Sequence, residues 1–554
     1  MHSVSYAWLG RIQINKCKHG EIMNLPLKKL RIGKVDGKHE YLTPESERDQ
    51  GTFDTFLVPD SVEPDRLHNG DIFFVEGFRG TGKTSLLRWH AHSTRSKDAV
   101  TDFILFKTDL TEDQRMHLSK EVGVSWTDID AQSMEISQDF KSAWGWFIVH
   151  KIGENLKANP DLVGIGSDGV KSKITRLLGL NDDNIFQKAI GFMPRLEGAH
   201  VKIKADIEFF EAELGAEFKK HNSQGKVSLE ALAKRVSALI SSLEIVRPLY
   251  IYFDELEAFY HTPEQHKRDQ RLVRDLLFTI ASVNEKFRRA KINIHIIGAV
   301  RSEVIDSMGS LGQEVDRLVH DKGFLISWHH TNRSTTHPLI DIISRKINFS
   351  EKLENIDSDQ DPIANYFPSS VDGVPLEAFL LDKSFYKPRD IVWRLSLAQK
   401  IFPNNDFFSQ SILHDTEIEY SSKLWDEVRY ELSAIYSDNE IECIEKILSG
   451  GAAYFNIGDI KTRFDEYAAK SKIASKLIER RSVEEILSDL YRIGAIGNAF
   501  RTATTGTHMR YRWIYRGEQT LLSDKQMVIH FALHKRLSII APRRRGTRSG
   551  SRKN

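Results

Sequence analysis

The stretch "GFRGTGKTSLLRWH", residues 77–90, decides how the rest of the chain is read. It joins two recognisable neighbours. "GDIFFVEG" (70–77) reads as a short buried strand, and "KTSLLRWHAH" (83–92) continues as a helix that turns Leu86 and Leu87 toward a sheet. Between them, Gly77, Gly80 and Gly82 let successive backbone N–H groups face phosphates, Lys83 reaches the β and γ oxygens, and the Thr84 hydroxyl can hold Mg²⁺, with Ser85 completing the binding set. A cradle that hydrolyses ATP also needs a carboxylate on a neighbouring strand.

That partner is expected at "RPLYIYFDELEAFY", residues 247–260. Leu249 to Phe253 is an apolar strand run ending in Asp254 and Glu255, so both carboxylates emerge at the C-terminal edge, where parallel sheets bind ligands. Asp254 is assigned to Mg²⁺ and Glu255 to activation of the attacking water. Lys83 and Asp254 are 171 residues apart. Loop-closure entropy grows logarithmically, so tripling a connection costs about 1 kcal/mol, and the spacing is read as an insertion. Within it, "FILFKTDL" (103–110) is expected to be a strand and "QDFKSAWGWFIVHKIGENL" (139–157) an aromatic amphipathic helix. "HVKIKADIEFFEAELGAEF" fits strand and helix equally well.

Further along, "KINIHIIGAVRSEV" (291–304) supplies another buried strand with Arg301 and Ser302 at its polar end. "EVDRLVHDKGFLISW" supplies a helix end carrying Arg317 and a last strand, Phe324 to Trp328. "LSGG" at 448–451 spells part of a transporter signature but follows Glu255 by almost 200 residues, so it is read as a helix stop.

The order of cradle, "FDEL" strand, polar-ended strand and helical region resembles the AAA+ superfamily of P-loop ATPases. Within it, the likeness is to the branch of origin-recognition initiators and STAND switch ATPases, which includes bacterial antiviral-defence ATPases. It covers residues 70 to 400 firmly and 425 to 540 loosely. The resemblance implies ATP and Mg²⁺ as cofactors, a sensor role for Arg301 or Ser302, a nucleotide-sensing role for Arg389 in "FYKPRDIVWRL" (385–395), and an arginine finger at Arg317 offered to a neighbouring subunit of a homo-oligomer. Pro388 suits a helix's first turn and Arg389 could neutralise γ-phosphate charge; a plain ion pair with Asp390 or Glu377 stays open. The long insertion departs from the minimal family core, and the absence of a processive-unfoldase arginine pair argues against a threading motor.

Residues 425–540 read as helix, short strand, helix, further helix and β-hairpin, a winged-helix order. Ser482 and Glu485 form a capping box and Gly494 stops the last helix. Glu484, Glu485 and Asp489 are expected on its outer face, where they would repel a phosphate backbone. Non-specific nucleic-acid contact is therefore assigned to the basic segment 470–481, to Arg510 and Arg512 of the hairpin, or to the tail residues Arg543, Arg544, Arg545, Arg548, Arg552 and Lys553. A protein-interaction surface with a solvated tail stands equally open.

The whole chain bounds these readings. Its 554 residues suit two to four domains, and 40% apolar with 28% charged residues is a globular composition. No apolar run approaches bilayer length, and "MHSVSYAWLGRIQINKCKHG" lacks a secretory core, which together point to the cytoplasm and away from membranes. Two cysteines, Cys17 and Cys443, exclude a disulfide scaffold and a four-cysteine zinc site. The His90/His92 and His329/His330 pairs lack carboxylates or cysteines at ligand spacing and are read as packing or surface histidines. Net charge is only +1, so the bulk surface does not favour nucleic acid.

The expected fold class is α/β: a P-loop NTPase (AAA+-like) parallel sheet with a helical lid and a C-terminal winged-helix-like domain. Its parts are an N-terminal extension (1–70), the ATPase core (71–330) with an accessory insertion at about 158–225, the lid (331–424), the winged-helix-like domain (425–538) and a basic disordered tail (539–554). The expected function is a Mg²⁺-dependent switch ATPase that couples nucleotide state to assembly, to a partner effector protein or to nucleic acid. Two alternatives are a DNA-loading or remodelling ATPase and a nucleotide-regulated scaffold with negligible hydrolysis.

Overall fold

A computed structural model describes residues 24–41, 51–109, 139–180, 200–202, 207–214, 226–256, 263–308, 314–329, 336–356, 361–433, 435–501, 509–518 and 520–540. The protein is mixed α/β around a five-stranded, all-parallel sheet. Its strands are β1 (Phe74–Gly77), β2 (Val100–Leu105), β3 (Leu249–Leu256), β4 (Ile294–Arg301) and β5 (Gly323–Leu325), in the spatial order β2-β3-β4-β1-β5. Parallel strands must be joined by crossovers, and those crossovers cover both faces, which is why these runs are apolar at almost every position.

The alternation along each strand sorts the core into two layers. Phe74, Leu249, Ile251, Phe253 and Ile296 point to one face, packing on the helices Asp139–Ala158, Leu229–Ile240 and Pro263–Arg289. Val75, Tyr250, Tyr252, Ile297 and Ala299 point to the other. There they meet Leu86 and Leu87 of the helix Lys83–Arg95, together with Leu27, Leu30 and Ile32 of the N-terminal segment and the helices Pro338–Leu353 and Pro388–Ile401. Residues 24–41 are thus built into the second layer: the backbone N–H of Leu27 donates to Asn405 O, and Gln399 Nε2 donates to the carbonyls of Leu27 and Leu30.

Several expected elements shift when packing decides them. The strand expected at 103–110 lies at Val100–Leu105, where all six residues pair with β3, and Phe106–Asp109 turns into a short helix closed by Asp109 accepting from the Leu105 amide. The last core strand is Gly323–Leu325 rather than Phe324–Trp328, because β1 offers it only three register partners. The stretch that fitted strand and helix equally is both: strand at His200–Lys202 and helix at Ile207–Leu214. The helix Asp438–Leu448 ends at Ser449 with Gly450 at φ 67°, so "LSGG" is a helix stop.

The C-terminal region has its own core and a four-stranded antiparallel sheet of β6 (Tyr454–Phe455), β7 (Ile496–Arg501), β8 (Met509–Arg512) and β9 (Met527–Ile529), ordered β6-β9-β7-β8. Helices Asp438–Leu448, Ile457–Ala468, Lys472–Arg480 and Val483–Arg492 pack on it. The helix Glu417–Leu432 runs through the boundary expected at 424/425; Leu424, Trp425, Val428 and Leu432 on it belong to this C-terminal core. Among the described residues, no helix is long and apolar enough to cross a membrane.

Candidate functional site

In a parallel sheet the crevice opens at the C-terminal strand edge where successive crossovers leave in opposite directions. Here the chain leaves β1 toward the β2 edge, while the connection from β4 passes β1 to reach β5, so that crevice lies at the end of β1. The glycine loop 77–82 fills it. Gly80 (φ 83°) and Gly82 (φ 98°) occupy left-handed backbone that a side chain rarely tolerates. Gly80 is also crowded: a Cβ there would lie 3.1 Å from that of Arg389. The helix Lys83–Arg95 starts directly from Gly82 without a side-chain cap, which leaves its first N–H groups aimed into the crevice.

A cleft of about 970 Å³, including its open mouth, gathers the loop, the ends of β3 and β4 and four segments from elsewhere. Gly80, Gly82, Lys83, Thr84, Ser85, Asp254, Glu255, Arg301 and Arg389 all line it. Gly77 sits one step back, where its carbonyl and that of Phe78 accept from Lys83 Nζ at 2.7 and 2.9 Å. Lys83 and Asp254 are therefore brought into one site across the long insertion.

How both carboxylates reach the same cleft is a backbone matter. Alternation would send Asp254 and Glu255 to opposite faces of β3. Instead the register of β3 against β4 breaks between Phe253 and Leu256, and Glu255 takes φ 58°. Left-handed backbone at a non-glycine residue costs on the order of 1–3 kcal/mol and persists only where its surroundings hold it. The strand's buried neighbours, Phe253 and Leu256, supply that restraint.

Asp254 is almost wholly buried; its Oδ1 accepts from the Glu255 amide at 2.8 Å and its Oδ2 makes no hydrogen bond. Burial pushes its carboxyl up, opposed by the Glu255 amide, the Thr84 hydroxyl and the Lys83 ammonium. A buried carboxylate oxygen left over beside a hydroxyl and an ammonium is a poor terminus for a strand and a good oxygen donor for a small hard cation. Glu255 is less buried, contacted by Lys38 Nζ and Thr108 Oγ1, each at 3.4 Å.

Arg389 stands in the first turn of the helix Pro388–Ile401. Neither Asp390 nor Glu377 pairs with it: Asp390 is buried and accepts from the Phe385 amide, whereas Arg389 donates from Nε to Val35 O at 3.2 Å and approaches Glu427 at 3.6 Å. Ser302 opens the helix Ser302–Met308, is buried beside Glu76 and does not line the cleft. Arg317 is far more exposed, 85% of its side chain, with Asp321 at 3.8 Å on its own helix, and it also lies outside the cleft.

Four contributors were not foreseen from the motifs: Lys38, Thr108, Arg79 and Glu427. Arg79 lies within the glycine loop itself, whereas the other three reach the site only through the fold. The N-terminal segment contributes Val35, Gly37 and Glu40 to the wall; a Cβ on Gly37 would lie 2.5 Å from Ser85 Oγ, so the short helix Gly37–Tyr41 sits directly on the glycine loop's helix.

The C-terminal helix Val483–Arg492 differs from expectation at Asp489. It is buried rather than outward, held by the Tyr436 hydroxyl at 2.6 Å and by Arg481 and Arg492. The acidic pair that does face out is Glu484, bound to Lys461, and Glu485, which caps Ser482. Within 470–481, Arg480 pairs with Glu440 and Arg481 with Asp489, and Arg512 pairs with Glu518, while Arg510 and, on the paired strand, Arg501 are exposed. Cys17 and the tail arginines Arg543, Arg544, Arg545 and Arg548 lie outside the described residues. His90 is buried against Tyr252, His92 stacks on Phe53, and no cluster of three or more His, Cys, Asp or Glu side chains placed to hold a metal ion occurs among the described residues.

Neither a protein-family model nor a curated protein sequence matches this chain.

Proposed function

We propose that the protein is a Mg²⁺-dependent P-loop ATPase of AAA+ type that uses ATP binding and hydrolysis as a switch. The observation that carries this reading is the meeting of Lys83, Thr84, Asp254 and Glu255 in one cleft, with Asp254 Oδ2 buried and without a hydrogen bond. The loop amides and the start of the helix Lys83–Arg95 would receive the phosphates, with Lys83 turning from the Gly77 and Phe78 carbonyls to the β and γ oxygens. Val35, Phe56, Leu57, Ile342 and Val392 supply apolar wall suited to a flat base.

Thr84 and Asp254 are the oxygen donors that fit Mg²⁺, which when bound neutralises charge on the β and γ oxygens. Glu255 then orients water and takes its proton. Lys38 and Thr108 hold that carboxylate in the conformation seen here, so its release from Lys38 is part of activation. Arg317, exposed on its helix, is available to a second copy, and a closed oligomer would complete the site with it.

Switching is favoured over DNA remodelling by the charges of the C-terminal region. Arg480, Arg481 and Arg512 are each engaged by an acidic side chain, which lowers what a winged-helix-like module could offer to phosphates. The deciding experiment is equilibrium binding of ATP with Mg²⁺ to the full chain and to Lys83→Ala. A charged hydrogen bond to phosphate contributes about 1.5–3 kcal/mol, so affinity should fall roughly 10- to 150-fold. Wild-type affinity in Lys83→Ala would remove the cradle assignment.

A further inference from the structure

The two arginines nearest the mouth of the cradle share one acidic partner that comes from the C-terminal region. Arg79, inside the glycine loop, places Nε 3.1 Å from Glu427 Oε2. Arg389, on the lid helix, places a terminal nitrogen 3.6 Å from the same oxygen. Arg79 also lies over the Tyr430 ring, 4.4 Å from its centroid, and its backbone N–H donates to Glu303 at 3.3 Å. Glu427, Tyr430 and Glu431 are spaced three and four residues apart, so they share one side of the helix Glu417–Leu432.

This is an anion held by two guanidinium groups beside a phosphate-binding loop, the arrangement that a terminal phosphoryl group would also satisfy. One carboxylate oxygen serves both arginines. Each of the three side chains is only about a quarter exposed or less, so the contacts are screened less than a surface pair. We propose that Glu427 and the γ-phosphate of a bound nucleoside triphosphate compete for Arg79 and Arg389, which makes Arg79 a residue that distinguishes triphosphate from diphosphate.

The inference rests on the ATPase reading of the cleft. Its structural consequence follows from where the helix is anchored. Leu424, Trp425, Val428 and Leu432 of the same helix are buried in the C-terminal core, so an anion that displaces Glu427 removes a contact between the cleft and the helix that carries this core. The carboxylates of Glu303, Glu427 and Glu431 already crowd this corner: burial first, then Lys387 in opposition and Glu303 in support, leave the Glu431 carboxyl pushed up to about 7. A triphosphate would add negative charge to a place that holds three acids. Competition, rather than shared occupancy, is the electrostatically favoured outcome. Linkage then requires that a bound triphosphate weakens the Glu427 contact by the same factor by which that contact weakens triphosphate binding.

The test is equilibrium binding of a non-hydrolysable ATP analogue and of ADP to the full-length protein, to Glu427→Gln, to Arg79→Gln and to Lys83→Ala. For Glu427→Gln, affinity for the ATP analogue should rise about 5- to 150-fold while that for ADP stays at the wild-type value. Arg79→Gln should narrow the preference for the analogue over ADP, leaving Arg389 and Lys83 to hold the γ-phosphate, and an unchanged preference would also overturn the proposal. Unchanged analogue affinity in Glu427→Gln, or an equal gain for both ligands, overturns the competition. Loss of binding in Lys83→Ala together with either of those results removes only this inference; retained binding in Lys83→Ala, or no binding to the wild-type chain, removes the cradle reading and this inference with it. Hydrogen exchange on the unsubstituted protein gives a second readout: the analogue should speed amide exchange over 417–432 and ADP should not, and identical exchange in both would overturn the proposal.

Discussion

Asp489 and Glu427 are both carboxylates that meet arginines, yet they do opposite things to the molecule. Asp489 is buried within one core, accepts from the Tyr436 hydroxyl and is flanked by Arg481 and Arg492, all from the same C-terminal unit. Glu427 reaches out of that unit to Arg79 and Arg389 at the glycine-loop cleft through one oxygen, and remains about a quarter exposed. A buried and fully partnered charge is hard to remove because its partner is then left uncompensated, whereas a half-buried contact between units can be exchanged for another anion. The same chemistry therefore makes a fixed joint in one place and an exchangeable one in the other.

The contrast predicts that substitutions in the cleft change chemistry with little cost in stability, and that substitutions in the C-terminal core do the reverse. Glu255→Gln should show the largest effect, a fall in ATP turnover of about 10²- to 10⁴-fold with nucleotide binding retained, since only the proton-accepting oxygen is lost. Steady-state turnover beside equilibrium binding checks this; a loss of binding equal to the loss of turnover would make Glu255 a structural residue like Asp489. Next is Asp489→Asn, expected to lower unfolding free energy by about 3 kcal/mol, the low end for a broken buried pair because Arg481 is a quarter exposed. Urea unfolding measures it, and the folded fraction should still bind ATP normally.

A smaller effect should come with pH. His90 is fully buried and its imidazole is pushed down to about 3, first by burial and then by the nearby His68, His295 and Lys97 charges. The unfolded chain takes up that proton near pH 6.5 while the folded one does not, so this contribution is complete above pH 6.5 and is lost as pH falls toward 3. The slope is at most about 1.4 kcal/mol per pH unit. Comparing unfolding at pH 7 and pH 5 for the wild type and His90→Gln isolates it, since the variant should lose less; equal losses would assign acid sensitivity elsewhere. The smallest effect belongs to Glu484→Gln. Its pair with Lys461 is about half exposed on both sides, so stability should move by no more than about 1 kcal/mol. A larger change would mean that the outward face of this helix is part of a packed joint.

Much of the site was readable because its chemistry is local. A glycine loop between a strand and a helix needs only neighbouring residues, and Lys83 and Thr84 follow it by covalent connection. The apolar run 249–253 announced a buried strand, and Asp254 and Glu255 its polar end. Alternation along that strand, however, would have sent the two carboxylates apart; the left-handed turn at Glu255 that unites them is held by tertiary packing and leaves no sequence signature. Asp489 misled for a related reason. Its position on the helix suggested solvent, and only the approach of Tyr436 and Arg481 makes burial of a carboxylate tolerable.

By itself, the sequence determined the local elements and the kinds of group at the sheet edge, because periodicity, glycine conformations and helix caps are short-range physics. The tertiary structure alone decided which distant groups complete the cleft. Lys38 on Glu255, Thr108 beside it, and Glu427 on Arg79 and Arg389 join segments separated by as many as 348 residues. Such pairings follow from how layers pack and where a helix's unburied side is left to point, and neither quantity is written in any one stretch of chain.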